Sequence, residues 1–347
     1  MKTNFLSIAV LSAAAFTVVS CAVPQTVVYT EAFSPEETTL NLVKITNESN
    51  NSVIGTSLFS INSYSVIDGS NGISSKAYWI TNNLLDISPD GSKIAYLTRT
   101  DKDKYLDNIM VRSVNAGGVA TQRTFRNVAS FSWGNDNKLY FTDIIKKGTY
   151  SSNHYICSVN AEAGSLMNQH TNGDVIDKTP ILSEDGKIYF VRVQNGSPAI
   201  WSLDKNGTLT CCANGYNPCL IPGNNNGFYC VRNSSGGRSE IWYVDFIKGQ
   251  ESLVLSDANK GFTNPRLSPD GKWILCVGNS VSTISQEQNL DIYVVRTDGT
   301  QLTQLTYHPA SDCSPVWAKD GRSIYFISSR ANENKSYNIW RMNFSIE

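Results

Sequence analysis

The chain has 347 residues, 41% hydrophobic and 17% charged, with a formal net charge of −1 at pH 7. This excludes a disordered or collagen-like chain, and the neutral balance excludes a nucleic-acid binder that works by neutralising phosphates. Abundant Gly, Asn, Ser, Thr and Tyr point instead to many short strands joined by turns, at a length that implies two domains or a repeat.

The chain begins with a charged start, Met1-Lys2-Thr3-Asn4, and an apolar run from Phe5 to Val19. A membrane span needs about 20 apolar residues, so this shorter run reads as a signal-peptide core. It ends in Val18-Val19-Ser20-Cys21, which resembles a bacterial lipobox. Residues 1–20 are therefore expected to be a lipoprotein signal peptide, with Cys21 the lipidated first residue of the mature chain. Ala22 in place of Asp directs the expected anchor to the outer membrane, facing the periplasm or the cell surface. Residues 21–37, with Pro24 and Pro35 and no periodic pattern, read as a tether.

Beyond the tether, over 38–347, the chain repeats. Leu84-Leu85-Asp86-Ile87-Ser88-Pro89-Asp90-Gly91 returns as Pro265-Arg266-Leu267-Ser268-Pro269-Asp270-Gly271, as Pro315-Val316-Trp317-Ala318-Lys319-Asp320-Gly321 and as Pro180-Ile181-Leu182-Ser183-Glu184-Asp185-Gly186. Degraded copies lie at 131–136 and 218–224, and the intervals run from 38 to 50 residues. A period of this size with strand-like content is the signature of a propeller with one blade per repeat. Pro presets the first corner of a tight turn, Asp bonds to backbone two residues on, and Gly accepts positive φ.

A second strand follows each turn, as at Lys93–Leu97 and Trp273–Val277, and then a third with an isoleucine-led core, as at Ile241-Trp242-Tyr243-Val244 and Ile339-Trp340-Arg341-Met342. A fourth is clearest at Gln301-Leu302-Thr303-Gln304-Leu305-Thr306. The last repeat has none of its own, and Leu40-Asn41-Leu42-Val43-Lys44-Ile45-Thr46 copies the pattern. We therefore expect an all-β, six-bladed β-propeller whose last blade is closed by this N-terminal strand. Residues 47–83 read as an insertion with a hairpin around Ser57–Ile67, or as a partial seventh blade.

These repeats resemble the TolB-like, or WD40-like, β-propeller family. The resemblance covers roughly 38–345 and implies the propeller fold. It also implies a non-enzymatic, monomeric module that binds a protein or peptide partner at the cell envelope. The alternative it leaves open is a carbohydrate-related propeller, either a glycan-binding accessory or an oligogalacturonide-lyase-like enzyme.

Chemistry is sparse. There is no Gly-x-Ser-x-Gly, His-Glu-x-x-His or Cys-x-x-Cys, and no catalytic residue, metal site or cofactor is expected. The candidates are a channel-mouth set for binding. Asp177 and Asp312, each three residues before a Pro, read as a carboxylate ring or as loop caps; Tyr216, Phe262 and Tyr307 read as stacking platforms or as packing. His308 lies in a connection, and with His154 and His170 is expected on one face of the disc. Trp201, Trp242 and Trp340 recur at one strand position and read as core between blades. Without Cys21 seven cysteines remain, of which Cys230 and Cys276 read as buried hydrophobes. Cys211, Cys212 and Cys219 flank one connection where a bridge to Cys219 is the alternative to free thiols.

Cys21→Ser is expected to release the protein from membranes or to block its maturation. Fractionation and palmitate labelling check this, and a palmitate-labelled outer-membrane variant would refute it.

Overall fold

The computed structural model describes residues 40–46, 59–67, 73–81, 83–99, 107–115, 118–124, 126–147, 152–162, 166–173, 175–281, 288–330 and 337–345, which form strands and turns and, among these residues, no helix. The expected signal peptide and tether lie outside them. The repeated turn forms for a local reason. In the first copy the Ser88 carbonyl accepts the Gly91 amide at 2.9 Å, while the Ser88 hydroxyl donates to Asp90 and accepts the Lys93 amide at 2.9 Å. Ser183 and Ser268 bind Asp185 and Asp270, and the amides of Lys187 and Trp273, in the same way. Gly91, Gly186 and Gly271 take φ of 74°, 81° and 71°, a region that strains a residue with a Cβ.

Each turn joins the first two strands of an antiparallel four-stranded unit. Unit one contains Leu85–Ile87, Lys93–Arg99, Asp107–Ser113 and Thr121–Gln122. Unit two contains Val128–Trp133, Lys138–Lys146, Ser152–Asn160 and Asn168–Gln169. Unit three contains Ile176–Leu182, Ile188–Gln194, Ser197–Leu203 and Leu209–Asn214, and is joined to unit two by one parallel bridge, His154 to Ile176. Unit four contains Tyr216–Ile221, Asn224–Asn233, Ser239–Asp245 and Gln250–Leu255. Unit five contains Phe262–Leu267, Trp273–Val281, Gln288–Arg296 and Thr303–Gln304. Unit six contains Asp312–Trp317, Ser323–Ser328 and Asn338–Asn343, with Val43–Lys44 as its fourth strand.

First strands of successive units lie side by side, and that of unit six lies beside that of unit one. Because the strands alternate in direction, the first-to-second and third-to-fourth connections share one end of every unit, here the turn face. The second-to-third connections and the crossovers between units share the other end, the loop face. Across the turn face the Gly223 amide of unit four donates to Glu184 of unit three at 2.8 Å. Aromatic and β-branched side chains fill the spaces between units, with Phe131, Phe190, Phe228, Phe326 and Trp340 fully buried.

The fourth strand is held by a repeated threonine. The hydroxyls of Thr124, Thr171 and Thr306 accept the amides of Ile109, Ile156 and Ile292, the isoleucines of their third strands, at 2.9, 3.0 and 2.9 Å. Thr46 accepts the Ile339 amide at 2.9 Å in the same way, and the amide of Ile45 donates to the Ile339 carbonyl at 2.8 Å. Leu42 and Ile45 are buried. The N-terminal segment thus occupies the position that chain-local residues fill in the other units.

Within 47–83, Phe59–Ile67 and Ile73–Thr81 form a two-stranded sheet that pairs with no other described strand. The stretch expected to hold a whole hairpin is therefore one arm of a longer one. Residues 47–58, 68–72 and 82 lie outside the described residues.

Deleting residues 40–46 exposes the backbone of Asn338–Asn343 and removes Leu42 and Ile45, whose burial stabilises by roughly 1.5–3 kcal/mol each. It is expected to cause strong destabilisation or aggregation, whereas deleting 22–36 leaves the melting temperature unchanged. Thr46→Val leaves the Ile339 amide buried without its acceptor and should cost about 1–3 kcal/mol, matching Thr306→Val in thermal or urea unfolding.

Candidate functional site

The loop-face ends of the innermost strands lie side by side from unit to unit, and the sequence candidates gather there. Most of them are committed to the fold. Asp177 is fully buried and forms a bidentate pair with Arg192 on the adjacent strand, Nε to Oδ1 at 2.8 Å and Nη2 to Oδ2 at 2.9 Å. Asp312, also fully buried, is paired with Arg330. Of the two readings left open, a carboxylate ring or loop caps, neither describes these residues: they form two internal ion pairs, because in each case the neighbouring strand or its extension supplies a guanidinium. At Asp177 the guanidinium meets both carboxylate oxygens through two parallel donors, whereas at Asp312 it reaches Oδ2.

Tyr216 and Phe262 are fully buried as well. The Tyr216 hydroxyl donates to Asn233 at 2.6 Å and lies 2.9 Å from Ser239 Oγ, while the Phe262 ring meets Tyr293 edge-on at 5.5 Å. They are packing residues and not platforms for a ligand. Tyr307 and His308 are the partly exposed members of the set. The Tyr307 hydroxyl donates to the Gln304 carbonyl at 3.1 Å, and His308 Nδ1 accepts the Ala310 amide at 2.9 Å.

The three histidines do not converge. His154 is buried at the loop-face end of its strand with Nε2 3.0 Å from Ser152 Oγ. The His170 ring lies toward the turn face instead, stacked on Tyr140 at 5.8 Å, whose hydroxyl donates to the turn residue Asp136. Among the described residues no three His, Cys, Asp or Glu side chains are grouped to hold a metal ion. Cys211, Cys212 and Cys219 are separate thiols, the last buried with its sulfur accepting the Leu267 amide at 3.3 Å. Cys230 and Cys276 are fully buried, as expected.

Two features of this region escape a reading by motif. Four innermost strands carry a bulge at which a non-glycine residue has positive φ and precedes a proline: Thr179, Asn217, Asn264 and Ser314, at 48°, 49°, 54° and 47°. All four are buried. Their prolines were visible in the sequence, but the left-handed conformation comes from register and not from residue type. The second feature is the hairpin of Phe59–Ile67 and Ile73–Thr81. Its second strand lies against the innermost strands of units four and five.

Burial and the nearby Lys178 push the His154 imidazole down to about 4, and burial brings the Lys178 amine down to about 8. The folded chain therefore holds His154 neutral while the unfolded chain protonates it near 6.5. Stability from this residue is complete above about pH 6.5 and is lost as pH falls toward about 4, by roughly 3 kcal/mol at about 1.4 kcal/mol per pH unit. His154→Gln is expected to flatten the stability–pH profile between about pH 4.5 and 6.5, measured by urea unfolding.

Residues 211–346 match the family model of the TolB beta propeller domain. Over 96 residues, 26% of this chain, the sequence is 30% identical to the TolB homolog of Chlorobium luteolum, covering 22% of that protein. The chain matches at most half the length of its curated relatives. TolB from Acinetobacter baumannii superposes with a TM-score of 0.56 at 16% identity, covering 77% of this chain and 65% of that one. A manganese-bound oligogalacturonate lyase superposes at 0.50 with 12% identity, covering 88% and 98%, a likeness of fold alone. The threonine-locked four-stranded units, the repeated Ser-Pro-Asp-Gly turn and these likenesses agree: the chain carries a TolB-like β-propeller.

Proposed function

We propose that this protein is a lipid-anchored, non-enzymatic propeller of the bacterial cell envelope, held at the outer membrane through Cys21, that binds a protein or peptide partner on its loop face. We read the six units as the blades of a monomeric ring closed by the strand at 43–44; the Thr46 hydrogen bond to Ile339 supports this, as does the adjacency of the first strands of units one and six. One observation carries the functional reading, the unequal use of the two faces. The turn face is built from short turns locked by their own Ser and Asp side chains. The loop face holds the crossovers, the 59–81 hairpin and the partly exposed Tyr307 and His308. Variable connections on a rigid scaffold are where binding concentrates. Two carboxylates at the loop-face ends of innermost strands, Asp177 and Asp312, are engaged by arginines, which favours recognition by shape and hydrogen bonding over acid–base chemistry.

The test is crosslinking capture from envelope extracts, with Tyr307→Ala/His308→Ala compared against Lys272→Ala/Lys319→Ala on the turn face. The loop-face pair is expected to lose the partner at least tenfold while the turn-face pair keeps it. Loss in the turn-face pair alone refutes the assignment. Stoichiometric manganese in the purified protein together with cleavage of oligogalacturonate would replace the reading by a lyase.

A further inference from the structure

Eight large apolar side chains are exposed among the described residues, and six of them fall in one kind of connection. Val119, Leu166, Leu209, Phe246, Ile247 and Leu302 all lie in, or at the end of, the connection from third to fourth strand, in units one to five. Val119, Leu166 and Ile247 are 88%, 89% and 74% exposed. Scattered single apolar residues need no explanation. Recurrence at the same corner of five consecutive units does, since those corners share the turn face.

In units three, four and five these turns are locked by their own carboxylates. Asp204 accepts the amides of Asn206 and Thr208, Asp245 those of Ile247 and Lys248, and Asp298 that of Thr300. The carboxylates are thus drawn into the turns while the aliphatic groups point outward. Unit six has no such turn, because its fourth strand enters from the N-terminal side. There Leu40, whose carbonyl accepts the Asn343 amide at 2.7 Å, marks where the chain leaves the turn face. Five corners of this face therefore carry exposed aliphatic residues, and the sixth carries the segment that leads back to Cys21.

We propose that the turn face docks on the bilayer, with Val119, Leu166, Leu209, Ile247 and Leu302 entering the boundary between headgroups and acyl chains. This rests on the lipid-anchor reading for its orientation. Residues 22–39 span at most about 60 Å when extended, so the anchor keeps this face close to the membrane and individually weak contacts act at high effective concentration. The third-to-fourth turns carry few charges, of mixed sign, and on the first-to-second turns of the same face Asp136 and Asp185 are paired with Lys138 and Lys187, so the apolar groups rather than a net charge are what this face offers to lipid. The loop face then points away from the bilayer, toward a partner.

The test uses residues 22–347, which contain every described strand, bearing Cys211→Ser and Cys212→Ser. An N-terminal hexahistidine tag holds the protein on nickel-chelating vesicles of phosphatidylethanolamine and phosphatidylglycerol, so the result does not depend on lipidation. Val119→Cys, Leu166→Cys and Ile247→Cys are each labelled with an environment-sensitive fluorophore, as is Ser235→Cys on the loop face; the other cysteines of the described residues are buried. Nitroxide-bearing lipids are expected to quench the three turn-face labels at least threefold more than the label at 235. Leu166→Asp/Ile247→Asp should reduce the quenching at 119 at least threefold. Equal quenching on both faces overturns the proposal. So does a blue shift of the turn-face labels without vesicles, which would mean that a second copy covers this face. Failure of the Cys21 assignment appears separately, in fractionation of Cys21→Ser.

Discussion

A hydrogen bond from the Ile339 amide to the Thr46 hydroxyl, 2.9 Å long, joins positions 293 apart in sequence, and the rest of the architecture depends on what it accomplishes. A four-stranded unit packs its faces against two neighbours, but its outermost strand is short, here two residues in units one, two, five and six. So short a strand cannot be held by ladder bonds alone. The hydroxyl of the threonine beyond it satisfies one further third-strand amide, and glutamines two residues earlier, Gln122, Gln169 and Gln304, donate back to the carbonyls of their threonines. In unit six Lys44 stands where the glutamine would be, and the threonine contact remains. Without this segment the edge of Asn338–Asn343 would be open to pairing with another chain.

The buried ion pairs follow from a related demand at the opposite end of the strands. Where the chain crosses from one unit to the next and begins an innermost strand, the bulge around Lys178–Ile181 or Cys313–Val316 interrupts the ladder. Arg192 and Arg330 close this region against Asp177 and Asp312, and each guanidinium also lies over aromatic rings, Phe190 and Trp201 in one case and Phe326 and Trp340 in the other. Burying two charges is costly, and removing one partner leaves the other uncompensated. These aspartates are therefore unavailable to a ligand, although their side chains lie at the level of the channel mouth.

The distinction bears on what a sequence of this kind discloses. The turns, the three inner strands of every unit and the fourth-strand pattern of 40–46, within which Val43–Lys44 pairs with Asn338–Asn343, were legible, because each is encoded by residues a few positions apart: Ser with Asp two later, alternating apolar residues, and a threonine at the end. The fates of Asp177 and Asp312 were not. An aspartate three residues before a proline reads the same whether it faces solvent or an arginine 15 or 18 positions on, and strand register decides between them. His170 shows the same limit. Its backbone bonds to Ile156, but its ring turns back to Tyr140, a choice made by side-chain packing. The positive φ at Thr179, Asn217, Asn264 and Ser314 is likewise set by how neighbouring strands meet at the axis.

What the fold consumes defines what is left for recognition. Repeat-encoded groups, the Ser and Asp of the turns, the threonines and the isoleucines, are all occupied in holding strands together, so a partner cannot be read by the repeat itself. The residues outside that system are the crossover connections, such as Tyr307–Ser311, and the hairpin of Phe59–Ile67 and Ile73–Thr81, which pairs with none of the units. Specificity in such a scaffold belongs to its irregular parts. The same reasoning separates the exposed aliphatic side chains of the turn face from the partner site. They recur with the repeat, one corner after another, and a periodic set of similar groups matches a surface that is itself uniform, as a bilayer is, better than the irregular relief of a folded protein.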